Sequence, residues 1–286
     1  MKTILKVTFK LPPSVVDWAG QALVAYFPDG LAQTPSGRQQ GWLRRHDAAT
    51  LTRFRAELKS LGGRELRLQK VRQRNWVGEY QSRFPRQTIG RFVIVPSWRR
   101  QGQKIPKTSF PIYLLPGQAF GTGLHRSTQL MLKAIQRFGS SPDQHVLDVG
   151  AGSGILSFAA LRQGAASALC IEIEEAAAKE IRSNARLNGF GPKRLKALCG
   201  EFPGCLKGKK VKADLLLANL VTPLLCKLMP ALAAQTRAGG TLLFSGIHTE
   251  PEADQVGLAA RRAGLKVVKR ETKGGWWCLQ ALKAAS

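Results

Sequence analysis

The stretch HVLDVGAGSGILSFAALRQGA, at residues 145–165, limits the fold of this chain more than any other part of the sequence. It starts as a continuous apolar strand of the buried kind, turns through closely spaced glycines and continues as an apolar helix. A strand, a glycine turn and a helix in that order are typical of the first βα unit of a doubly wound parallel sheet. The sequence therefore predicts an α/β fold.

Strands and helices alternate along most of the remaining chain in a pattern that indicates two domains. Residues 111–286 follow the rhythm of a parallel sheet, and we assign them to one doubly wound domain. Residues 1–72 have a separate β-α-β-α-β order, with Asp47 as the predicted N-cap of the second helix. That order predicts a small ferredoxin-like α/β domain, short of one strand. Residues 73–110 are irregular apart from a strand at 91–95, and we interpret them as a linker.

The spacing of the glycines distinguishes between cofactors. Gly150, Gly152 and Gly154 form GxGxG after Asp148, whereas the dinucleotide fingerprint is GxGxxG, whose backbone amides face a pyrophosphate. A carboxylate beside the loop repels a pyrophosphate, but it can bond a cationic amino group such as that of a methionine moiety. The pattern therefore resembles motif I of the S-adenosylmethionine-dependent methyltransferases. It predicts that Asp148, Gly150 and Gly152 contact that cofactor.

Acidic and amide side chains follow the next strands. Glu172 ends the second strand, where such folds place an acid that accepts both ribose hydroxyls. Glu174 and Glu175 compete for this role, although acids also suit the N-terminus of the following helix. After the third strand, Glu201 either reaches the adenine amine or is a solvated loop carboxylate. Asn219 ends the fourth strand, ADLLLANL, where it either caps the turn or aims its carbonyl at an amine held before the cofactor's methyl group.

An ordered set of stretches resembles the PrmA family, which methylates large-subunit ribosomal protein eleven on lysines and on its N-terminal amine. The stretches cover most of residues 75–250, and they are NWVGEYQSRFPRQTIGRFVIVPSW, LLPGQAFGTGLHRSTQLML, VLDVGAGSGILSFAAL, IEIEEAAAKEIRSNARLNG, ADLLLANLVTPLL and GGTLLFSGI. The PSW and AFGTG pieces are not shared by methyltransferases in general. The resemblance implies a Rossmann-like catalytic domain that follows a small substrate-recognition domain and a linker, with S-adenosylmethionine as cofactor.

The resemblance also implies which residues hold the cofactor. Position by position, the family's contacts fall on Thr128, Gly150, Glu172 and Asn219. The family has Asp where this chain has Glu172, a longer acid that can still hold a ribose. We add Phe120, in the loop before Thr128, as an aromatic residue that lines the cofactor or lysine channel.

The predicted reaction needs alignment more than acid or base chemistry, because methyl transfer from a sulfonium is an in-line displacement. Asn219 is therefore the predicted catalytic residue, since its carbonyl can orient a neutral amine. We interpret His125 as a residue that positions its loop. Trp276 and Trp277 are interpreted as core residues, with lining of the cofactor or lysine channel as the alternative.

The net charge of +26 is the most unusual bulk property of the chain. Residues 1–100 contain 19 Lys and Arg against 6 Asp and Glu, and residues 101–286 contain 25 against 12, so the excess is evenly divided. Such a charge attracts RNA or a ribosome, although a generally basic proteome would give the same count. We expect a ribosomal protein as substrate, with ribosome or rRNA contact through the basic surface. The alternatives are a methyltransferase of RNA or another protein on the same scaffold, and an inactive ribosome-binding module.

Other classes of protein are disfavoured. The five cysteines are scattered without a CxxC pair, which argues against a disulfide framework or a zinc site, and we expect no metal. The longest apolar stretch, ADLLLANLVTPLLCKLMPALAA, is interrupted by charged, amide and proline residues, so we expect no membrane span. The N-terminal MKTILKVTFK has a charge within its apolar run and no cleavage site, so we expect a cytoplasmic protein.

Overall fold

The structure is a computed structural model. It describes residues 3–16, 23, 26–27, 31–34, 36–43, 47–72, 85–102, 104–115, 123 and 125–285. The chain divides into two compact units, Met1–Arg83 and Phe84–Ser286. Each unit has a hydrophobic core of its own.

The first unit is built around a small antiparallel sheet. Its elements are β1 (Thr3–Lys10), β2 (Ala32–Gln33), β3 (Gln39–Leu43), α1 (Ala48–Ser60) and β4 (Arg64–Arg72). The strand order is β2-β3-β1-β4, and all neighbours are antiparallel. With helical residues 13–16 after β1, this is the ferredoxin-like topology, and that prediction is confirmed. The strand missing from the sequence pattern is β2, whose two exposed residues carry no periodic signal.

Helix α1 begins where the sequence predicts. The Asp47 carboxylate accepts a hydrogen bond from the Thr50 backbone N–H at 2.8 Å, which caps the helix. Beyond the helix, Gly62 has a φ of +71°, a conformation that favours glycine. The buried side chains Phe54 and Leu58 pack against the sheet in one cluster. The core of the first unit therefore lies between α1 and one face of the sheet.

The second unit contains a larger, seven-stranded sheet and a three-stranded sheet. Its described strands are β5 (Gln87–Ile89), β6 (Phe92–Pro96), β7 (Phe110–Leu114), β8 (His145–Val149), β9 (Ser167–Glu172), β10 (Leu195–Cys199), β11 (Ala213–Asn219), β12 (Thr236–Ile247), β13 (Leu265–Lys273) and β14 (Trp276–Lys283). Its described helices are α2 (Arg126–Phe138), α3 (Ile155–Gln163), α4 (Glu175–Leu187), α5 (Thr222–Gln235) and α6 (Glu250–Arg262).

The strand order of the larger sheet is β10-β9-β8-β11-β12-β14-β13. Neighbours from β10 to β12 are parallel, and β14 is antiparallel to both of its neighbours. From β8 the chain adds β9 and β10 on one side, and it then adds β11 and β12 on the other side. The point between β8 and β11 is where doubly wound sheets bind their ligands. The predicted Rossmann-like, doubly wound domain is confirmed.

Strand β11 shows why the central strands are apolar throughout. Leu215 and Leu217 belong to a buried cluster on one face of the sheet, and Leu216 and Ala218 belong to a cluster on the other. Parallel strands covered on both faces have continuous hydrophobic runs of this kind. Within the described part of the chain, no helix is long and apolar enough to cross a bilayer.

A three-stranded sheet of β5, β6 and β7 joins the core of the second unit. Two asparagines one turn apart hold the outer strand, Asn184 in α4 and Asn188 at its C-cap. Asn184 Oδ1 accepts the Leu115 N–H at 2.8 Å, and Asn188 Oδ1 accepts the Tyr113 N–H at 2.9 Å. These strands begin within the region that the sequence assigns to a linker, and residues 73–84 of that region lie outside the described residues. The functional division into recognition domain, linker and catalytic domain stays a prediction.

Candidate active site

A cleft of about 590 Å³ opens at the carboxyl ends of the parallel strands. Each strand from β8 to β12 contributes to its walls, together with the N-terminus of α2 and the start of β14. The lining residues include Gly150 and Gly152 after β8, 172–174 after β9, 200–202 after β10, 219–221 after β11, Gly246 in β12, and His125, Ser127 and Trp276. The structure thus gathers the predicted glycine loop, Glu172 and Asn219 around one cavity.

The glycine loop has a backbone that only glycine adopts readily. Gly150, Gly152 and Gly154 have φ angles of +70°, +54° and +83°. A Cβ on Gly150 would also lie 2.4 Å from the Leu220 Cδ2 atom. The Gly150 N–H donates to the Ile171 carbonyl at 2.9 Å, which ties the loop to the end of β9. The loop therefore keeps its main chain close to the cleft without side chains in the way.

Glu172 stands at the end of β9 with its carboxylate held by backbone donors. Its Oε2 atom accepts the Gly152 N–H at 2.8 Å. Its Oε1 atom accepts the N–H groups of Ile173 and Glu174 at 2.8 and 3.3 Å. These bonds fix one acid between the glycine loop and the neighbouring wall of the cleft, so Glu172 is better placed than Glu174 for the predicted role.

Asp148 lies behind the glycine loop and is fully buried. The Ser157 hydroxyl donates to its Oδ2 atom at 2.8 Å, and the Cys170 thiol donates to the Ser157 oxygen at 3.2 Å. Burial raises the pKa of Asp148 to about 7, against the lowering effect of the Ser157 hydrogen bonds, and the negative charge of Glu172 raises it further. Asp148 is not one of the described residues that line the cleft; it lies buried behind the glycine loop. Its direct contact with a cofactor stays a prediction.

Asn219 ends β11 and lines the cleft. Its Oδ1 atom is buried and has no hydrogen-bond partner among the residues that the structure describes. Since an unsatisfied buried acceptor costs about 1–3 kcal/mol, native structures rarely keep one without a use. The Thr128 hydroxyl, in the first turn of α2, is likewise buried without a described partner, but Thr128 is not among the residues that line the cleft. Phe120 lies outside the described residues.

His125 and Trp276 form an aromatic wall. His125 is the N-cap of α2: its Nδ1 atom accepts the Ser127 N–H at 3.3 Å and lies 2.7 Å from the Ser127 hydroxyl. The His125 and Trp276 ring centres are 4.3 Å apart in an edge-to-face arrangement. Partial burial lowers the pKa of His125. The capping contacts agree with its interpretation as a positioning residue.

Trp276 is half-buried: it packs against a core cluster, as the sequence interpretation has it, and it also lines the cleft. The reason why it reaches the cleft is topological. Trp276 begins β14, and β14 runs antiparallel to β12. The start of β14 therefore lies at the same edge of the sheet as the carboxyl ends of the parallel strands.

Exposed apolar side chains also line the cleft, and sequence reasoning did not find them. Ile173 is 66% exposed and Val221 is 64% exposed, although both are large and apolar. Each follows closely after a parallel strand, and that position was the available signal. Exposed apolar residues in a concave site are typical of the contact surface for a flat ligand.

The charge of the cleft is opposite to that of the chain. Its lining includes Glu172, Glu174 and Glu201, and among the described lining residues there is no Lys or Arg. The chain as a whole carries +26. Carboxylates without counter-cations disfavour a pyrophosphate and favour a cationic ligand. In the described part of the chain, no group of three His, Cys, Asp or Glu is placed to bind a metal ion.

Comparisons with known proteins agree with this geometry. Residues 31–284 match the family model described as ribosomal protein L11 methyltransferase (PrmA). The ribosomal protein L11 methyltransferase of Carboxydothermus hydrogenoformans is 30% identical over 96% of this chain and 84% of its own length. That of Caldicellulosiruptor bescii is 34% identical over 78% of this chain and 70% of its own.

A solved structure resembles the fold. The crystal structure of ribosomal protein L11 methylase from Lactobacillus delbrueckii subsp. bulgaricus has a TM-score of 0.60 and 31% sequence identity. The match covers 69% of this chain and 96% of that chain.

Proposed function

The chain belongs to the PrmA family of methyltransferases, and we propose from this that it transfers methyl groups from S-adenosylmethionine to lysine and N-terminal amines of ribosomal protein L11. The observation that carries the proposal is the gathering of the glycine loop, Glu172 and the unpartnered Asn219 carbonyl around one cleft. The substrate follows from the names of the relatives.

The residues of the cleft fit S-adenosylmethionine by their chemistry. Glu172 offers a fixed carboxylate for the two ribose hydroxyls. Ile173 and Val221 offer apolar surface for an adenine ring. The absence of Lys and Arg from the described lining favours a sulfonium over a dinucleotide, whose pyrophosphate needs donors or cations.

The protein's part in the reaction is to align an amine. When bound, S-adenosylmethionine supplies an electrophilic methyl group on a positive sulfur. An unperturbed lysine amine has a pKa near 10.4, so roughly one in 2,500 is neutral at pH 7, a difference of about 4.6 kcal/mol. The buried Asn219 Oδ1 atom is an acceptor that can hold an amine N–H and so direct its lone pair into the cleft. Water takes the proton before the amine docks.

Binding of the cofactor is the first test. Isothermal titration with S-adenosylmethionine should give saturable binding that the Glu172→Gln variant weakens about 10- to 100-fold, because a charged hydrogen-bond acceptor is lost. The Glu172→Asp variant should stay within a few-fold of the original. Glu250→Gln, a matched change of an exposed carboxylate on α6, should have no effect. Absence of binding would exclude every methyltransferase interpretation.

Location of the label is the second test. The protein and methyl-labelled cofactor are incubated separately with purified L11, other ribosomal proteins, intact ribosomes and bare rRNA. Label should enter L11, on lysine and N-terminal amines. Label on RNA alone would replace the proposal with an RNA methyltransferase.

A further inference from the structure

Three arginine side chains gather on the face of the seven-stranded sheet that α3 and α4 cover. Arg162 lies in the last turn of α3, Arg194 directly precedes β10, and Arg100 follows β6 after a short helical turn. The guanidinium carbons of Arg162 and Arg194 lie 5.0 and 5.8 Å from the centre of the Phe190 ring. That of Arg100 lies 5.1 Å from the centre of the Tyr113 ring. We call these three side chains the arginine cluster.

Hydrogen bonds to the main chain hold the cluster together. The Asn188 Nδ2 atom donates to the Tyr113 carbonyl at 2.6 Å, and the Asn188 carbonyl accepts a bond from Arg162 Nη2 at 3.0 Å. Arg194 Nη2 donates to the Ala165 carbonyl at 2.8 Å. Two of the three guanidinium groups are therefore oriented before any ligand binds, and each uses only part of its five donors.

The cluster has no carboxylate to balance its charge in the described part of the chain, since none of the three arginines forms a salt bridge there. The Arg162 Nε atom is buried, and no described group accepts a hydrogen bond from it. Burial lowers the pKa of Arg162, and the nearby charge of Arg100 lowers it further, against the raising effect of Tyr113. Because proteins normally pair a partly buried cation, this arrangement favours an anionic ligand.

The aromatic rings of the cluster are already covered. Arg100 lies over Tyr113, and Phe190 is buried with its ring stacked on that of Phe158 at a centre-to-centre distance of 6.1 Å. A nucleotide base therefore has no open ring to stack on, and the guanidinium donors are what the cluster offers. Guanidinium groups match the oxygens of a phosphate by paired hydrogen bonds.

Exposed cations continue the charge beyond the cluster. Arg99 precedes Arg100, and Lys193 precedes Arg194, and the side chains of both preceding residues are exposed. A series of cations of this kind suits a chain of phosphates better than a single phosphate ion.

We propose that the arginine cluster binds the phosphate backbone of double-stranded RNA. A duplex keeps its bases stacked inside and is recognised mainly by its shape and by contacts to phosphates and riboses. The choice of RNA over DNA rests on the proposed function, because a methyltransferase of a ribosomal protein meets RNA beside its substrate. Arg194 and its contact Ala165 precede β10 and β9, so the cluster reaches the amino edge of the sheet, opposite to the cofactor cleft. RNA and cofactor can therefore bind at the same time.

Fluorescence anisotropy with the full chain, without cofactor, tests the proposal. The probe is a labelled RNA duplex of about 16 base pairs, titrated from about 50 to 200 mM KCl. Arg100→Gln and Arg194→Gln should each weaken binding about tenfold and reduce the slope of log affinity against log salt by about 1, because a phosphate contact is lost. Arg100→Lys should restore the slope, since it keeps the charge and loses only the fork. The matched control is Arg262→Gln, an exposed arginine of α6 on the other face of the sheet, which should leave affinity and slope nearly unchanged.

Four outcomes overturn the proposal. They are unaltered affinity in both cluster variants, an equal loss of slope in Arg262→Gln and Arg100→Gln, tighter binding of single-stranded RNA, and tighter binding of a DNA duplex of the same sequence. Thermal unfolding of each variant, followed by circular dichroism, controls for folding. Titration of the same variants with S-adenosylmethionine separates this proposal from the proposed methyltransferase activity. Loss of RNA binding with normal cofactor binding concerns the arginine cluster alone, whereas loss of cofactor binding in the unaltered protein concerns the cleft.

Discussion

The oxygen atoms near the cleft that are buried without a described partner include one on Asn219 and one on Asp148. These two differ in their surroundings. The Asn219 atom belongs to a residue of the cleft wall, whereas Asp148 lies under the glycine loop. We expect the acceptor of the wall residue to bond a ligand, and the one under the loop to act through the loop. The two residues therefore call for different experiments.

Replacing Asn219 tests the acceptor in the wall. The Asn219→Ala variant should lower the rate of methyl transfer about 100-fold, because the amine loses the group that aligns it. Folding should be retained, since the lost oxygen has no described partner. Single-turnover transfer of label to L11 measures the rate. Thr222→Val is the matched control, because it removes another buried unpartnered oxygen that does not line the cleft. Near-normal rates in Asn219→Ala would remove Asn219 from the site.

Replacing Asp148 tests the buried carboxyl. The unfolded carboxyl ionises near pH 3.9, whereas the folded one keeps its proton up to about pH 7. Between these values the native state binds more protons than the unfolded state, so stability declines as pH rises. Asp148→Asn keeps an acceptor for Ser157 and does not titrate. From pH 5 to pH 7 it should gain about 2 kcal/mol relative to the original protein.

Urea unfolding at the two pH values measures this difference. Asp143→Asn is the control, because Asp143 is an exposed carboxylate in a turn before β8. Its stability should follow the original protein at both pH values. Parallel profiles for Asp148→Asn and the original protein would contradict a raised pKa.

At the scale of elements, β12 contains two glycines with left-handed backbones but different surroundings. Gly246 has a φ of +88°, and a Cβ there would lie 2.3 Å from the Leu220 carbonyl oxygen. Gly239 has a φ of +73°, and nothing described lies within 4 Å of its Cβ position. Gly246→Ala should therefore displace Leu220 and its neighbour Asn219, while Gly239→Ala should add backbone strain alone.

The expected results separate strain from displacement. Gly239→Ala should lose about 1–2 kcal/mol of stability with normal methyl transfer. Gly246→Ala should lose more stability and reduce transfer at least about tenfold, since small misplacements near the reacting groups slow catalysis strongly. Urea unfolding and single-turnover assays measure both quantities. Equal activity in the two variants would mean that the contact with Leu220 does not position Asn219.

Elements with a strong local pattern could be predicted from the sequence. Strand β8, its glycine loop and α3 are contiguous in sequence. Glu172 and Asn219 each end an apolar run, and the carboxyl ends of parallel strands meet at one edge of the sheet, so both residues could be placed there. Strands β2 and β5 are too short for any period to appear. Strand β7 is held by Asn184 and Asn188, which are distant in sequence, and no local pattern records such a contact.

At the scale of the whole molecule, the sequence counts charges but does not locate them. The chain carries +26, yet the described lining of its cleft has three carboxylates and no Lys or Arg. Among the described residues, the Lys and Arg side chains lie outside this lining. This separation lets one chain attract a polyanion at one place and hold a cationic cofactor at another. Only the three-dimensional arrangement reveals it.

The two compact units make a prediction about unfolding. Their hydrophobic clusters are separate, and every described residue of the cleft belongs to the second unit. S-adenosylmethionine at 100 times its dissociation constant should stabilise that unit by about 2.7 kcal/mol. For a unit of this size the transition should rise by about 5–10 °C, while the transition of the first unit stays in place.

Scanning calorimetry with and without the cofactor measures both transitions. Glu172→Gln at the same cofactor concentration is the control, and its second-unit transition should rise by less than that of the original protein, because weaker binding contributes less free energy by mass action. A single transition that moves as a whole with the cofactor would contradict independent units, because it would mean that stabilising one core stabilises the other.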